Sequence, residues 1–105
     1  MVDFKITQND TYPALSGTCS DDGGSVPPLS GASVRFHMKK PGASGLKVDD
    51  EASILDETTG ELAYQWKSGD TDESGNFRAE FEVTYSDGNV ETFPSEPLEV
   101  YIRPE

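Results

Sequence analysis

Apolar residues recur at every second position in several short runs of this chain. Phe77, Ala79, Phe81, Val83 and Tyr85 alternate with Arg78, Glu80, Glu82 and Thr84. Val34, Phe36 and Met38 alternate with Arg35, His37 and Lys39, and Leu62, Tyr64 and Trp66 form a third such row. Leu98, Val100 and Ile102 close the chain in the same way, and Phe4 and Ile6 open it. A period of two is that of a β-strand with one buried face. No stretch carries the apolar stripe and caps of an amphipathic helix.

The pattern predicts strands over Asp3–Thr7, Ala14–Ser20, Ala32–Lys39, Leu46–Val48, Ala52–Leu55, Glu61–Trp66, Phe77–Tyr85, Val90–Phe93 and Leu98–Arg103. Turn chemistry separates them: Asp21-Asp22-Gly23-Gly24, Asp56 to Gly60, and Ser86-Asp87-Gly88-Asn89. The last of these turns predicts a hairpin that pairs Phe81–Val83 with the segment after it. Pro94-Ser95-Glu96-Pro97 reads as a break. The expected fold is all-β: a single immunoglobulin-like antiparallel β-sandwich of about seven to nine short strands, over residues 1–105 as one domain. A small barrel is the alternative.

Composition decides whether such a pattern can fold. Only 33% of the 105 residues are hydrophobic, but five Phe, four Tyr and one Trp supply a core. A chain of this length hides roughly 60–68% of its unfolded surface. The single cysteine, Cys19, excludes an internal disulfide. No apolar run is long enough to span a bilayer, and the N-terminus lacks the basic and apolar regions of a signal peptide.

Charge narrows the partners. Twenty acidic residues against eight basic ones leave −12. That argues against nucleic acid, which needs clustered Lys and Arg, and against an anionic membrane surface. The acids are spread along the chain as a coat. Such a coat suits high salt, where self-repulsion is screened.

Few residues offer chemistry. His37 lies on the polar side of its strand, and Cys19 reads as a small packed or half-exposed residue; neither sits in a nucleophile motif. Zinc would need several Cys or His ligands. Asp21-Asp22, Asp49-Asp50-Glu51 and Asp70-Thr71-Asp72-Glu73 cluster oxygens, yet none has the EF-hand spacing. With 20 carboxylates, any glycosidase-like pair is uninformative. Phosphate-cradling glycine motifs are absent. Tyr64 and Trp66 share the inward row with Leu62 and read as core rather than as a sugar-stacking platform. Tyr101, on the outward side of the last strand, is the better candidate for an aromatic contact. The expected catalytic, cofactor and metal residues are therefore none, and the expectation is a protein that is not an enzyme.

The order of motifs is familiar. Phe4-Lys5-Ile6 leads to Asn9-Asp10-Thr11-Tyr12-Pro13-Ala14-Leu15, then Leu29-Ser30-Gly31-Ala32-Ser33-Val34-Arg35-Phe36-His37-Met38. Gly60-Glu61-Leu62-Ala63-Tyr64-Gln65-Trp66, Gly69-Asp70-Thr71 and Gly75-Asn76-Phe77-Arg78-Ala79-Glu80-Phe81-Glu82-Val83 follow. Tyr85-Ser86-Asp87-Gly88 and Glu91-Thr92-Phe93-Pro94 end the series. Over nearly the whole chain this resembles the N-terminal domain of phage baseplate upper proteins and related small tail proteins of tailed viruses.

The resemblance implies a sandwich that docks into a virion, in the tail or baseplate, with no catalytic residues. In longer members this module anchors to the particle and C-terminal parts carry receptor-binding machinery. With the chain ending at Glu105, host recognition is expected to come from another chain. The acidic coat adds a virus of a salt-loving host. The leading expectation is a structural virion protein, a tail or baseplate adaptor that assembles with other virion proteins as a symmetric homo- or hetero-oligomer. A capsid decoration or turret subunit is one alternative. A carbohydrate-binding module for host surface attachment is another.

Overall fold

The computed structural model describes residues 2–20 and 25–105, with Ser95 and Glu96 by backbone alone. The expected Asp21–Gly24 turn, and with it the Asp21-Asp22 acid pair, lies outside the described residues. Seven strands are described: β1 (Phe4–Thr7), β2 (Leu15–Thr18), β3 (Ser33–Lys39), β4 (Val48–Asp56), β5 (Glu61–Tyr64), β6 (Gly75–Thr84) and β7 (Val90–Arg103). They form one sheet in the order β1-β7-β6-β3-β4-β5-β2.

The sheet folds over itself at β4. Val48–Ala52 pair with β3, whereas Ser53, Ile54 and Asp56 pair with β5, with a register shift between Ile54 and Asp56. The result is a barrel-like sandwich with β1 and β2 as its two edges. Every pairing is antiparallel except one: β1 runs parallel to β7, Phe4 against Val100 and Ile6 against Ile102. The sheet is therefore mixed, where the sequence pattern predicts an antiparallel sandwich. Alternation fixes which face a residue takes and carries no information about strand direction.

Two expected boundaries merge into longer strands. Leu46–Val48 and Ala52–Leu55 belong to one element, β4, joined through Asp49-Asp50-Glu51; Leu46 itself stays outside the strand and exposed. β7 runs continuously through Pro94 and Pro97. Phe81 faces Phe93 and Ala79 faces Leu98, so Glu80 alone stands opposite the whole proline-bearing segment. A bulge is where prolines, lacking an N–H, fit a strand. The expected β6–β7 hairpin has the register Phe81↔Phe93, Glu82↔Thr92, Val83↔Glu91.

The core lies between the folded layers. Leu15, Phe36, Met38, Leu62, Tyr64, Phe77, Phe81, Val83, Val100 and Ile102 are fully buried. Phe36 is its hub: it stacks on Tyr64 (centroids 4.4 Å apart, planes 7° apart) and meets Phe81 at 5.4 Å and the edge of Trp66 at 5.5 Å. Such pairs are worth about 0.5–1.5 kcal/mol each beyond area burial. This aromatic centre offsets the low hydrophobic fraction. Gly60 (φ +77°) closes the β4–β5 turn against β2, where its C=O accepts the Cys19 N–H at 2.9 Å. A Cβ at Gly60 would collide with the Cys19 carbonyl oxygen.

Candidate functional site: a charged sheet face and two open edges

Alternation in β1, β7, β6, β3 and the first half of β4 sends one side chain of each pair outward onto a common face. Register places Arg35 between Glu82 and Glu51, and His37 between Glu80 and Asp49. Lys39, Arg78 and Glu99 form the next row, and Asn76, Tyr101 and Lys5 the row after it. Arg103 lies beyond, its Nε donating to Thr7 Oγ1 at 3.1 Å.

This face is charge-balanced. Lys5, Arg35, Lys39, Arg78 and Arg103 stand on it against Asp49, Glu51, Glu80, Glu82 and Glu99. The rest of the sequence, with three lysines and 15 acids, carries the whole net charge of −12. The chain is also polar end to end. The end formed by the β4–β5 and β6–β7 turns holds Asp56, Glu57, Glu61, Asp87 and Glu91 and, among the described residues, no Lys or Arg. Seven of the eight basic residues lie toward the other end; Arg35 stands nearer the middle.

The acid clusters do not converge. Asp49 Oδ1 lies 2.9 Å from Arg35 Nε and 3.2 Å from His37 Nε2, while Asp50 Oδ2 accepts from Lys67 Nζ at 2.6 Å. The hydrogen bond from Arg35 holds the Asp49 carboxyl below its ordinary range, and the bond from Lys67 does the same for Asp50. Asp72 pairs with Lys47 at 2.6 Å, and Glu73 pairs with Lys40. Asp70 turns inward to Tyr64. Asp49, Asp50, Asp70, Asp72 and Glu73 thus go to separate partners, and among the described residues no three His, Cys, Asp or Glu side chains are grouped to hold a metal.

His37 is partly covered on the outward face beside Asp49, as its place in the alternation predicts. Cys19 is wholly buried, and burial pushes its thiol up. Tyr64 and Trp66 are core residues. Among the described residues the Trp66 indole N–H has no partner. Tyr101 is half-buried in the middle of the outward rows.

Sequence reasoning missed the stitching of the loops at the cationic end. Thr71 is buried, its hydroxyl donating to Asp10 O at 2.7 Å while its own C=O accepts the Asn9 N–H at 2.9 Å. Gln8 Nε2 donates to Asp72 O, and Asn9 takes a left-handed φ of 71°. The Asn9-Asp10 pair was the available signal, since Asn tolerates that conformation.

The two edges differ in surroundings. Among the described residues β1 pairs only with β7, and β2 only with β5. In a parallel ladder alternate residues point both backbone groups to the same side. Glu99 and Arg103 turn their carbonyls toward β1, where they accept the Asp3 and Gln8 N–H at 2.8 Å each. With the register Phe4↔Val100 and Ile6↔Ile102, Phe4 and Ile6 bond β7, so Lys5 and Thr7 present their backbone groups toward the open edge. Beside the β7 bulge, His37, Lys39, Leu46, Arg78, Glu80 and Pro97 line a shallow depression.

Comparison with known proteins places this geometry. The crystal structure of CopC from Methylosinus trichosporium OB3b superposes with a TM-score of 0.53 at 17% identity, over 100% of this chain and 87% of that one. At that identity the likeness is one of fold alone. No curated protein sequence matches significantly. The family model of the BppU N-terminal domain matches residues 2–94, from before β1 into the β7 bulge. On a match of that extent, the chain belongs to the BppU N-terminal domain family, the family of the phage baseplate upper protein.

Proposed function

We propose that this protein is a structural adaptor in the tail or baseplate of a tailed virus, working by protein–protein contact and catalysing no reaction. The observation that carries this reading is the family match over residues 2–94. A baseplate family implies contact with other virion proteins. Two features supply the means. The charge-balanced face lets a protein of net charge −12 meet a neighbour without opposing its own field. The open sides of β1 and β2 offer backbone groups for strand addition. The acid-to-cation pairing seen in the loops fits a surface arranged for packing. A sugar-binding module would want Tyr64 and Trp66 exposed, and both are buried.

Quantitative mass spectrometry of purified particles tests the reading. A few copies per virion, in multiples of three or six, supports an adaptor. Hundreds of copies would move the protein to the head as a decoration subunit. Particles without it would overturn the proposal.

A further inference from the structure

Four cations on the outward face lack an acidic partner within ion-pair distance among the described residues: Lys5, Lys39, Arg78 and Arg103. The other basic side chains, Arg35, Lys40, Lys47 and Lys67, all have one. The four share one corner. Lys39 and Arg78 are register neighbours, Lys5 lies opposite Tyr101, and Arg103 is two residues beyond Tyr101 on the same side of β7. Glu99, Asp3 (whose Oδ2 accepts the Glu99 N–H at 2.8 Å) and Glu80 beside the depression are the acids nearest them, and none lies within ion-pair distance of the four. Tyr101 and the exposed Leu46, which lies beside Lys39 and Arg78 across the shallow depression, add apolar surface. An aromatic ring flanked by arginines is the composition of an interface centre.

The complement lies on the same molecule. At the opposite end Glu57 and Glu61 are exposed on either side of Gly60 and, among the described residues, make no ion pair. No described cation stands near them. We propose that the Lys5–Lys39–Arg78–Arg103 corner around Tyr101 docks the acidic β4–β5 end of a second copy, head to tail.

Charge complementarity selects this occupant. The corner gathers four cations that make no ion pair among the described residues, and the β4–β5 end gathers acids with no described Lys or Arg beside them. A head-to-tail contact uses two different patches, so it leaves one of each free on every dimer. It therefore closes into a ring or continues as a stack. This deepens the adaptor reading, since it names the partner for one of its surfaces.

Sedimentation velocity on the full chain tests the contact in three steps. In about 0.1 M NaCl, where screening acts over about 10 Å, the wild type should sediment faster as concentration rises; about 1 M NaCl, with screening at about 3 Å, should weaken association at least tenfold. Arg78→Gln with Arg103→Gln removes the corner, and Glu57→Gln with Glu61→Gln removes the acidic end. Each variant alone should stay monomeric with an unchanged circular dichroism spectrum. Mixed one to one, they should form a dimer that cannot grow, because each keeps only one working patch. A wild type that stays monomeric at millimolar concentration in low salt would overturn the proposal. So would variants that associate like the wild type, or a mixture that stays monomeric. None of those results alters the copy number in purified particles, so the adaptor reading fails or stands separately.

Discussion

The Tyr64 hydroxyl, at the end of β5, donates to Asp70 Oδ2 at 2.5 Å, and the same oxygen accepts the Lys67 N–H at 2.8 Å. One carboxylate thus ties the floor of the aromatic core to the loop leading into β6. Burial first, and the neighbouring Asp70 carboxylate second, push the Tyr64 phenol far above its ordinary value. Tyr64→Phe should cost about 1–2 kcal/mol, the range for one charge-assisted hydrogen bond lost with packing kept. Hydrogen exchange at the Lys67 amide should quicken with it.

The same pair sets the alkaline limit of stability. A group whose folded pKa is raised contributes fully below its unfolded value, near 10 for tyrosine, and the contribution is lost as pH rises above that. Tyr85 adds to this, for burial and its 2.8 Å bond to Glu91 raise it too. The melting temperature should fall between about pH 10 and 12, and Tyr64→Phe should flatten that fall. A wild-type curve level across the window would contradict the coupling.

Asp49 and Asp50 set a second window. Their folded pKa values are depressed, by Arg35 and Lys67 respectively, so their contribution is present above the ordinary carboxylate value near 3.9 and lost as pH falls below it. Both groups are solvent-exposed, so the effect is modest and salt-sensitive. Chemical denaturation from about pH 5 to 2.5 should show stability declining, and Asp49→Asn should make the decline shallower.

Gly60→Ala should be among the most damaging single-methyl changes in the chain. It combines a positive φ with a Cβ driven into the Cys19 carbonyl oxygen, at the point where β2 is held to the β4–β5 turn. The expected loss is about 2–4 kcal/mol, more than an ordinary left-handed glycine site, because backbone must move. Gly42→Ala is the control: it also has a positive φ, but its Cβ would meet nothing. Equal losses at the two sites would show that strain alone acts.

Phe36→Ala should cost about 3–5 kcal/mol, since the residue is fully buried and three aromatic partners surround it. Near-ultraviolet circular dichroism should lose most of its signal with it, as Tyr64 and Trp66 lose their fixed neighbour.

Strands with uninterrupted alternation were legible in the sequence, β6 and β3 above all, because burial on one face leaves a mark at every second residue. β4 was not, since Asp49-Asp50-Glu51 has no apolar member and its strand character comes from pairing with Arg35 and His37 across the sheet. β7 was split because proline normally ends a strand, and only a partner strand with a matching bulge lets it continue. The faces of Lys5, Arg78 and Arg103 were readable from alternation. That they share a corner required the register, which joins residues from the two ends of the chain. The inward turn of Thr71 and Asp70 was not legible, because polar residues within a polar run carry no mark of which one is buried.

The parallel seam between β1 and β7 has a consequence in time. Asp3 and Glu99, which it holds together, are 96 positions apart. Closing so long a loop is entropically slow, and during synthesis it waits until the last strand has left the ribosome. Until then Phe4 and Ile6 have no strand to lie against. Lys5 is kept from Tyr101, and the basic corner does not exist. A half-made chain thus lacks the basic patch of the proposed head-to-tail contact, which takes shape only once β7 has joined β1.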